Sequence, residues 1–396
     1  MTSLAAELAT WATDLDPTST DLELADRSLL DTVAVAVAAR AEPIVRLACG
    51  VSVEAARWAT AAHVLDFDDL HMESTTHIST VCVPAVLATG GGARAYLAAA
   101  GVMARIGRAL GWSHYSSGWH ATTTAGAPAA AVAAGVALGL DAERMAIAIA
   151  LAVPAAGGVQ RAFGTDAKSL QIGFAADAGV RAARLAAAGA TADPRAFDSW
   201  LELVGGDPSA LDLDGPAVPG GLAIKVFPCC YALQRPISAL SGLRRDRVQP
   251  AQVRRVVVRT PKGTVTPLRH HRPVTGLEAK FSLEYAVATA LLDDYAGFWS
   301  FTDAAVARPE ARRLVELVDV QLSDGGDWLL AGEFDAEVHV GDRVLTAREQ
   351  FPPGSPQRPP SGEELRRKVR ECLAGTNLEP AAIDWSSAAG ILRDHL

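Results

Sequence analysis

Acids and imidazoles crowd one short stretch of the 396-residue chain: Asp66-Phe67-Asp68-Asp69-Leu70-His71, then Glu73 and Thr75-Thr76-His77. Carboxylates and imidazoles at this density fit general acid–base catalysis, because neighbouring groups tune their pKa values toward working pH. They fit equally a solvated, capped loop between helices. A second group, Ser116-Ser117-Gly118-Trp119-His120 followed by Thr122-Thr123-Thr124, opens an alanine-rich run. There a single histidine is either a proton carrier or a structural cap. Gly164-Thr165-Asp166-Ala167-Lys168 leads into another helix. Lys168 is a surface cation or, inside a pocket, the local charge that an anionic substrate needs. Two more groups stand further on, Lys225-Val226-Phe227-Pro228-Cys229-Cys230-Tyr231 and the stretch from Pro273 to Ser282 that contains Lys280. Cys230 is a packed thiol or a nucleophile, and its neighbours in sequence supply no activating partner.

The elements that must position these groups change in texture along the chain. Up to about residue 236, alanine-rich segments such as 28–40, 93–110, 142–158 and 175–189 read as helices. Alanine has the best helix propensity, and runs that are apolar nearly all round mark helices buried among helices. Residues 121–140 carry no charge over a span-like length, but small side chains contribute little apolar area, so a buried helix is expected rather than a membrane span. Beyond Arg235-Pro236, β-branched runs at 253–261, 318–324 and 334–351 predict strands, the last folding around a Gly-Asp turn. Segments 282–294 and 304–318 read as helices between them. A proline-rich linker, 351–364, precedes a helix at 361–375 with Ser361 and Glu364 spaced as a capping box. The expected fold is mainly α with an α+β part: a helical domain of 1–236 and 361–396, and a smaller α+β domain of 237–360 inserted before the C-terminal helices.

Composition narrows the function. A hydrophobic fraction of 49% against 20% charged residues is that of a globular enzyme. The net charge of −9, with no cluster of Lys and Arg, argues against nucleic-acid binding. An anionic substrate must then be caught by a few local cations, since the overall field repels it. Five cysteines without framework spacing fit reduced thiols in a cytoplasm, and the amino terminus lacks the basic and apolar regions of a secretory signal.

Order and spacing of these segments resemble the MmgE/PrpD family, which contains 2-methylcitrate dehydratase, cis-aconitate decarboxylase and iminodisuccinate epimerase. The likeness runs through LLDTVAVAVA (29–38), DFDDLHMESTTHIS (66–79), GWHATTTAG (118–126), GTDAKSLQIGFAADAG (164–179), KVFPCCYALQRPISA (225–239) and EAKFSLEYAVA (278–288). The resemblance implies a helical domain plus an α+β lid, a homodimer, no metal and no organic cofactor. It further implies a pocket between domain and lid containing Asp66, His77, His120 and Lys168, with Lys225 and Cys230 at the hinge and Lys280 nearby as substrate-binding groups. The chain departs from the family pattern at Leu70, where relatives usually have threonine, at Ile78, where they usually have proline, and at Cys230 and Gln234, where some branches carry histidine. The Cys230 departure weakens a decarboxylase reading.

The chemistry expected is removal of a proton next to a carboxylate, with cations stabilising the enediolate-like state. One of His77 and His120 acts as base and the other as acid, Asp66 orients or tunes an imidazole, and Lys168 supplies charge. This predicts a cofactor-independent lyase of dehydratase type acting on a small di- or tricarboxylate. The alternatives are an epimerase or isomerase using the same site, and a catalytically silent dimer that keeps the fold for binding.

Overall fold

Alanine in the first two hundred residues both forms helices and lets their axes approach closely, and the structure uses both properties. The structure, a computed structural model, describes residues 2–245, 248–329 and 331–396. It is mainly α with an α+β part and divides into two compact units. The first comprises Met1–Ala162, Asp166–Ile224 and Gly362–Leu396; the second comprises Phe163–Thr165 and Lys225–Ser361.

At the centre of the first unit lies the helix Ala121–Ala137, in which every residue from Ala121 to Gly135 is buried. Helices Ala93–Ser116, Ala142–Ala152 and Ala167–Ala187 surround it. Two glycines set how close the last of these comes. A Cβ at Gly179 would stand 2.4 Å from that of Ala130, and one at Gly173 would stand 2.5 Å from the Ala56 carbonyl oxygen on helix Glu54–Val64. Glycine at both positions therefore brings Ala167–Ala187 against the central helix and against Glu54–Val64 together. Among the described residues no helix is long and apolar enough to cross a membrane. Within the uncharged 121–140 stretch, the helix Ala121–Ala137 is a core helix buried as far as Gly135, and Leu138 beyond it is exposed.

Several helix boundaries differ from the sequence expectation for identifiable reasons. The segment read from residue 93 to 110 continues to Ser116 across a kink at Gly111, whose φ of 66° lies in the left-handed region. The segment read from 175 begins at Ala167, so Lys168 sits in a first helical turn and not in the preceding loop. In the second unit the expected helix 304–318 is two pieces, Asp303–Val306 and Pro309–Glu316, because proline disfavours helical geometry in the residue before it.

The second unit carries a four-stranded mixed sheet of β1 (Val253–Pro261), β2 (Val318–Ser323), β3 (Phe334–Val340) and β4 (Arg343–Glu349), in the order β2-β1-β3-β4. β1 runs parallel to β2, with Val256 opposite Val318, and antiparallel to β3, with Val256 opposite Val338. β3 and β4 form the expected hairpin, turning at Gly341 with φ 58°. Phe334, Ala336, Val338 and Val340 alternate into the core of this unit. Helix Gln234–Arg245 packs on helix Leu283–Leu292 and on β4. Residues 351–361 are irregular, as the prolines require, but Pro352–Ser355 are buried.

Candidate active site

The acidic motif begins where helix Glu54–Val64 ends. Asp66 donates its backbone N–H to the His63 carbonyl at 2.9 Å and turns the chain with φ 54°, a left-handed conformation that a non-glycine residue adopts at a cost. This turn sends Asp66 and Asp68 to different partners. Asp66 Oδ1 accepts from Lys168 Nζ at 2.8 Å, whereas Asp68 Oδ2 accepts from His63 Nδ1 at 2.7 Å and lies 3.1 Å from His77 Nδ1. Lys168 Nζ also meets His63 Nε2 at 2.8 Å. The result is a continuous ladder, Asp66–Lys168–His63–Asp68–His77, drawn from helix Glu54–Val64, the 66–78 loop and helix Ala167–Ala187. Asp66 holds the ammonium and its charge opposes the lowering of the His120 pKa, while Asp68 accepts from the His63 imidazole.

His63 was not singled out in the sequence, and it stands at the middle of the ladder. It is wholly buried, and burial pushes its pKa down to about 4; Asp68 opposes that shift and the charge of Lys168 adds to it. A neutral imidazole with its proton on Nδ1 satisfies both contacts, donating to Asp68 and accepting from Lys168 through Nε2. His77 is the more accessible ring, its side chain 12% exposed. Its Nδ1 lies 2.8 Å from the Asp69 carbonyl as well as beside Asp68, which places the proton there and the basic lone pair on Nε2.

His120 stands at the N-cap position of the central helix but makes no capping bond with its side chain. Its backbone N–H donates to Gly158 at 3.0 Å, and its ring centroid is 6.1 Å from that of His63. Burial, helped by the charge of Lys168, holds its pKa well below the usual imidazole range, so it is neutral. Gln160 fastens this corner, donating its side-chain amide to the Tyr115 and Trp119 carbonyls. The His77 backbone N–H donates to Thr122 Oγ1 at 3.1 Å, joining the loop to the start of the central helix.

Other residues of the acidic motif have structural tasks. Asp69 accepts from the backbone N–H and the hydroxyl of Ser79 at the start of helix Ser79–Leu87, and burial raises its pKa to about 7. His71 bridges Ser74 Oγ at 2.7 Å and the Pro219 carbonyl at 2.6 Å, kept neutral by burial. Leu70 pairs through its backbone with Ala223, at 2.9 and 2.8 Å.

His63, Asp68 and His77 also form a group whose ligand-type atoms lie within 4.8 Å of one another, a nitrogen–oxygen set of the kind that holds divalent metals. Protons already occupy these atoms, since Asp68 Oδ2 accepts from His63 Nδ1 and the Nδ1 proton of His77 is engaged by the Asp69 carbonyl. The Lys168 ammonium against His63 would oppose a second cation. The ladder therefore fits proton chemistry better than metal binding.

The three substrate-binding candidates belong to the second unit. Lys225 and Lys280 are buried, Cys230 is partly exposed, and the Cys230 backbone N–H donates to the Lys280 carbonyl at 3.0 Å. Gln234 braces the same segment: its Oε1 accepts from the Val226 and Phe227 amides at 3.2 and 3.1 Å, and its Nε2 donates to the Phe227 carbonyl at 2.9 Å. A side-chain amide offers donor and acceptor together at that position, which accounts for glutamine there.

The chain is similar to known proteins over most of its length. Residues 52–201 match the MmgE/PrpD N-terminal domain and residues 227–382 the MmgE/PrpD C-terminal domain. A cis-aconitate decarboxylase of Aspergillus terreus is 28% identical over 355 residues, covering 78% of this chain and 72% of its own. Human cis-aconitate decarboxylase is 28% identical over 190 residues, covering 44% of this chain and 39% of its own. Two domain matches in the family's order, one of them spanning every rung of the ladder, establish that the chain belongs to the MmgE/PrpD family.

Proposed function

We propose that the protein is a cofactor-independent lyase that moves a proton on the carbon next to a carboxylate in a small di- or tricarboxylate. The observation that carries this reading is the ladder, which holds a base, a cation and their orienting carboxylates in one buried place. His77, its Nδ1 proton engaged by the Asp69 carbonyl and Asp68, takes the substrate proton at Nε2. Lys168, held by Asp66 and His63, stabilises the enediolate-like charge that develops as the C–H bond breaks. His120, neutral and buried, donates a hydrogen bond to the leaving hydroxyl, which takes the proton that His77 removed; the electron pair on carbon forms the new double bond, water departs and His77 returns to its neutral form.

A second reading, decarboxylation, is favoured by the likeness to two proteins named cis-aconitate decarboxylase. Loss of CO₂ leaves the electron pair on carbon, where the same ammonium stabilises it and an imidazole reprotonates it. Epimerisation would use the same groups to return the proton to the opposite face. Lys225, Cys230 and Lys280 serve in this proposal as substrate-binding groups, and the assembly is taken to be a homodimer.

Proton NMR in D₂O with citrate, 2-methylcitrate, cis-aconitate, malate and aspartate-type dicarboxylates tests the proposal. Deuterium entering next to a carboxylate, with alkene and water as products, supports the dehydratase. Release of CO₂ selects the decarboxylase, and inversion without elimination selects the epimerase. Exchange that persists undiminished in both His77→Ala and His120→Ala would overturn the assignment of the site.

A further inference from the structure

A second buried ion pair lies beside the ladder, and the mechanism above makes no use of it. Lys368, on helix Gly362–Leu373, is 1% exposed and its Nζ stands 2.7 Å from Asp31 Oδ1 on helix Ser19–Ala38. The same ammonium donates to the Phe67 backbone carbonyl at 2.6 Å and lies 4.2 Å from the centre of the Phe67 ring. Phe67 is completely buried and separates Asp66 from Asp68. One cation thus grips both the carbonyl and the ring face of the residue between the two ladder carboxylates.

We propose that Lys368 is a positioning residue for the reaction, acting through the peptide plane that follows Phe67. The strained turn at Asp66 sends the two carboxylates to different partners, and it persists only if its surroundings over-determine it. Fixing the Phe67 carbonyl toward Lys368 fixes the Asp68 N–H on the opposite side of the same planar peptide. The bond to His63 and the approach to His77 depend on that orientation. A buried ammonium carries three N–H donors, and beside Asp31 it is the Phe67 carbonyl that takes one of them, so satisfying the buried cation and fixing this peptide are the same contact. The inference rests on the reading of the ladder as the reaction centre.

The test uses the full chain and two readouts. Lys368→Met combined with Asp31→Asn removes both buried charges and preserves volume, so the fold is expected to survive by circular dichroism and thermal melting. Its kcat is expected to fall about 10²-fold with KM within about threefold, as for a misplacement of catalytic groups by about 1 Å. Independently of activity, nitrogen-15 imidazole spectra are expected to show His63 and His77 leaving the Nδ1–H tautomers they hold in the unsubstituted protein. A folded double variant with unchanged kcat and unchanged imidazole signals would overturn the proposal. If no substrate in the panel reacts with the unsubstituted protein, the carbon-acid reading fails, and the imidazole spectra alone decide the role of Lys368. Should the double variant not fold, Lys368→Arg keeps the charge beside Asp31 but presents a planar head to the Phe67 carbonyl. It is expected to show the same displacement of the imidazole signals, and unchanged signals would count against the proposal.

Discussion

In the helical unit Asp66, Lys168, His63 and Asp68 are buried and bonded in series, whereas the sheet of the α+β unit carries its charges on the surface. There Arg259 pairs with Asp335 and Glu337, Arg348 with Asp335, and Arg255 with Asp319. Exposed pairs of this kind contribute little, because water screens them and long side chains lose freedom in making them. Buried groups are costly to desolvate and persist only where every member is satisfied. The difference separates charge that keeps a surface soluble from charge arranged to do work.

Breaking the ladder should therefore cost far more function than breaking the surface pairs. Lys168→Met is expected to lower kcat/KM about 10³-fold by removing the cation opposite the developing charge. Arg259→Met, made as a control on β1, is expected to leave turnover unchanged; steady-state kinetics on both proteins would collapse the comparison if the two losses were similar. Asp68→Asn comes next, with kcat lowered about 10²-fold. An amide can present a donor where the carboxylate accepts from His63 and lies beside His77, so the imidazoles lose the tautomer their contacts require. Chemical shifts of the two rings, read beside the kinetics, would tell a tautomer change from simple loss of fold.

Asp69 sharpens the contrast through pH. Its pKa is raised from 3.8 to about 7, so between those values the folded protein holds a proton that the unfolded chain has released. The stability this gives is full below pH about 4 and is lost as pH rises toward 7. Asp69→Asn removes the dependence. Its melting temperature relative to the unsubstituted protein should therefore climb between pH 4 and 7 and level off above, as measured by thermal melts in a buffer series. A difference that stayed constant with pH would mean that Asp69 ionises normally. The smallest effect is expected for Arg272→Ala, which breaks the exposed pair with Glu316 and should shift the melting temperature by no more than about 3 °C.

Much of this arrangement could be read in advance. Alanine-rich periodicity located the helices, β-branched alternation located the four strands, and small side chains identified 121–140 as core. The order of motifs identified the family. What stayed hidden was division of labour within the site. Asp66 and Asp68 are equivalent in the string DFDD, and only the left-handed turn at Asp66 separates them. His63 went unnoticed because it ends an alanine helix, where a single imidazole looks like a satisfied core residue. The available signal was its spacing, five residues before Asp68 across a helix terminus. The task of Gln234 was equally invisible, since a brace between backbone amides depends on a loop conformation that no local pattern encodes.

The bond from Lys368 to the Phe67 carbonyl joins residues 301 positions apart. At a synthesis rate of about 5–20 residues per second, the ribosome finishes the loop roughly 15 to 60 seconds before it makes the lysine that holds it. Through that interval Asp31 has no ammonium beside it, and the turn at Asp66 lacks one of its fastenings. The helices around it can gather early, but this strained loop must be completed by a helix that emerges about 300 residues later.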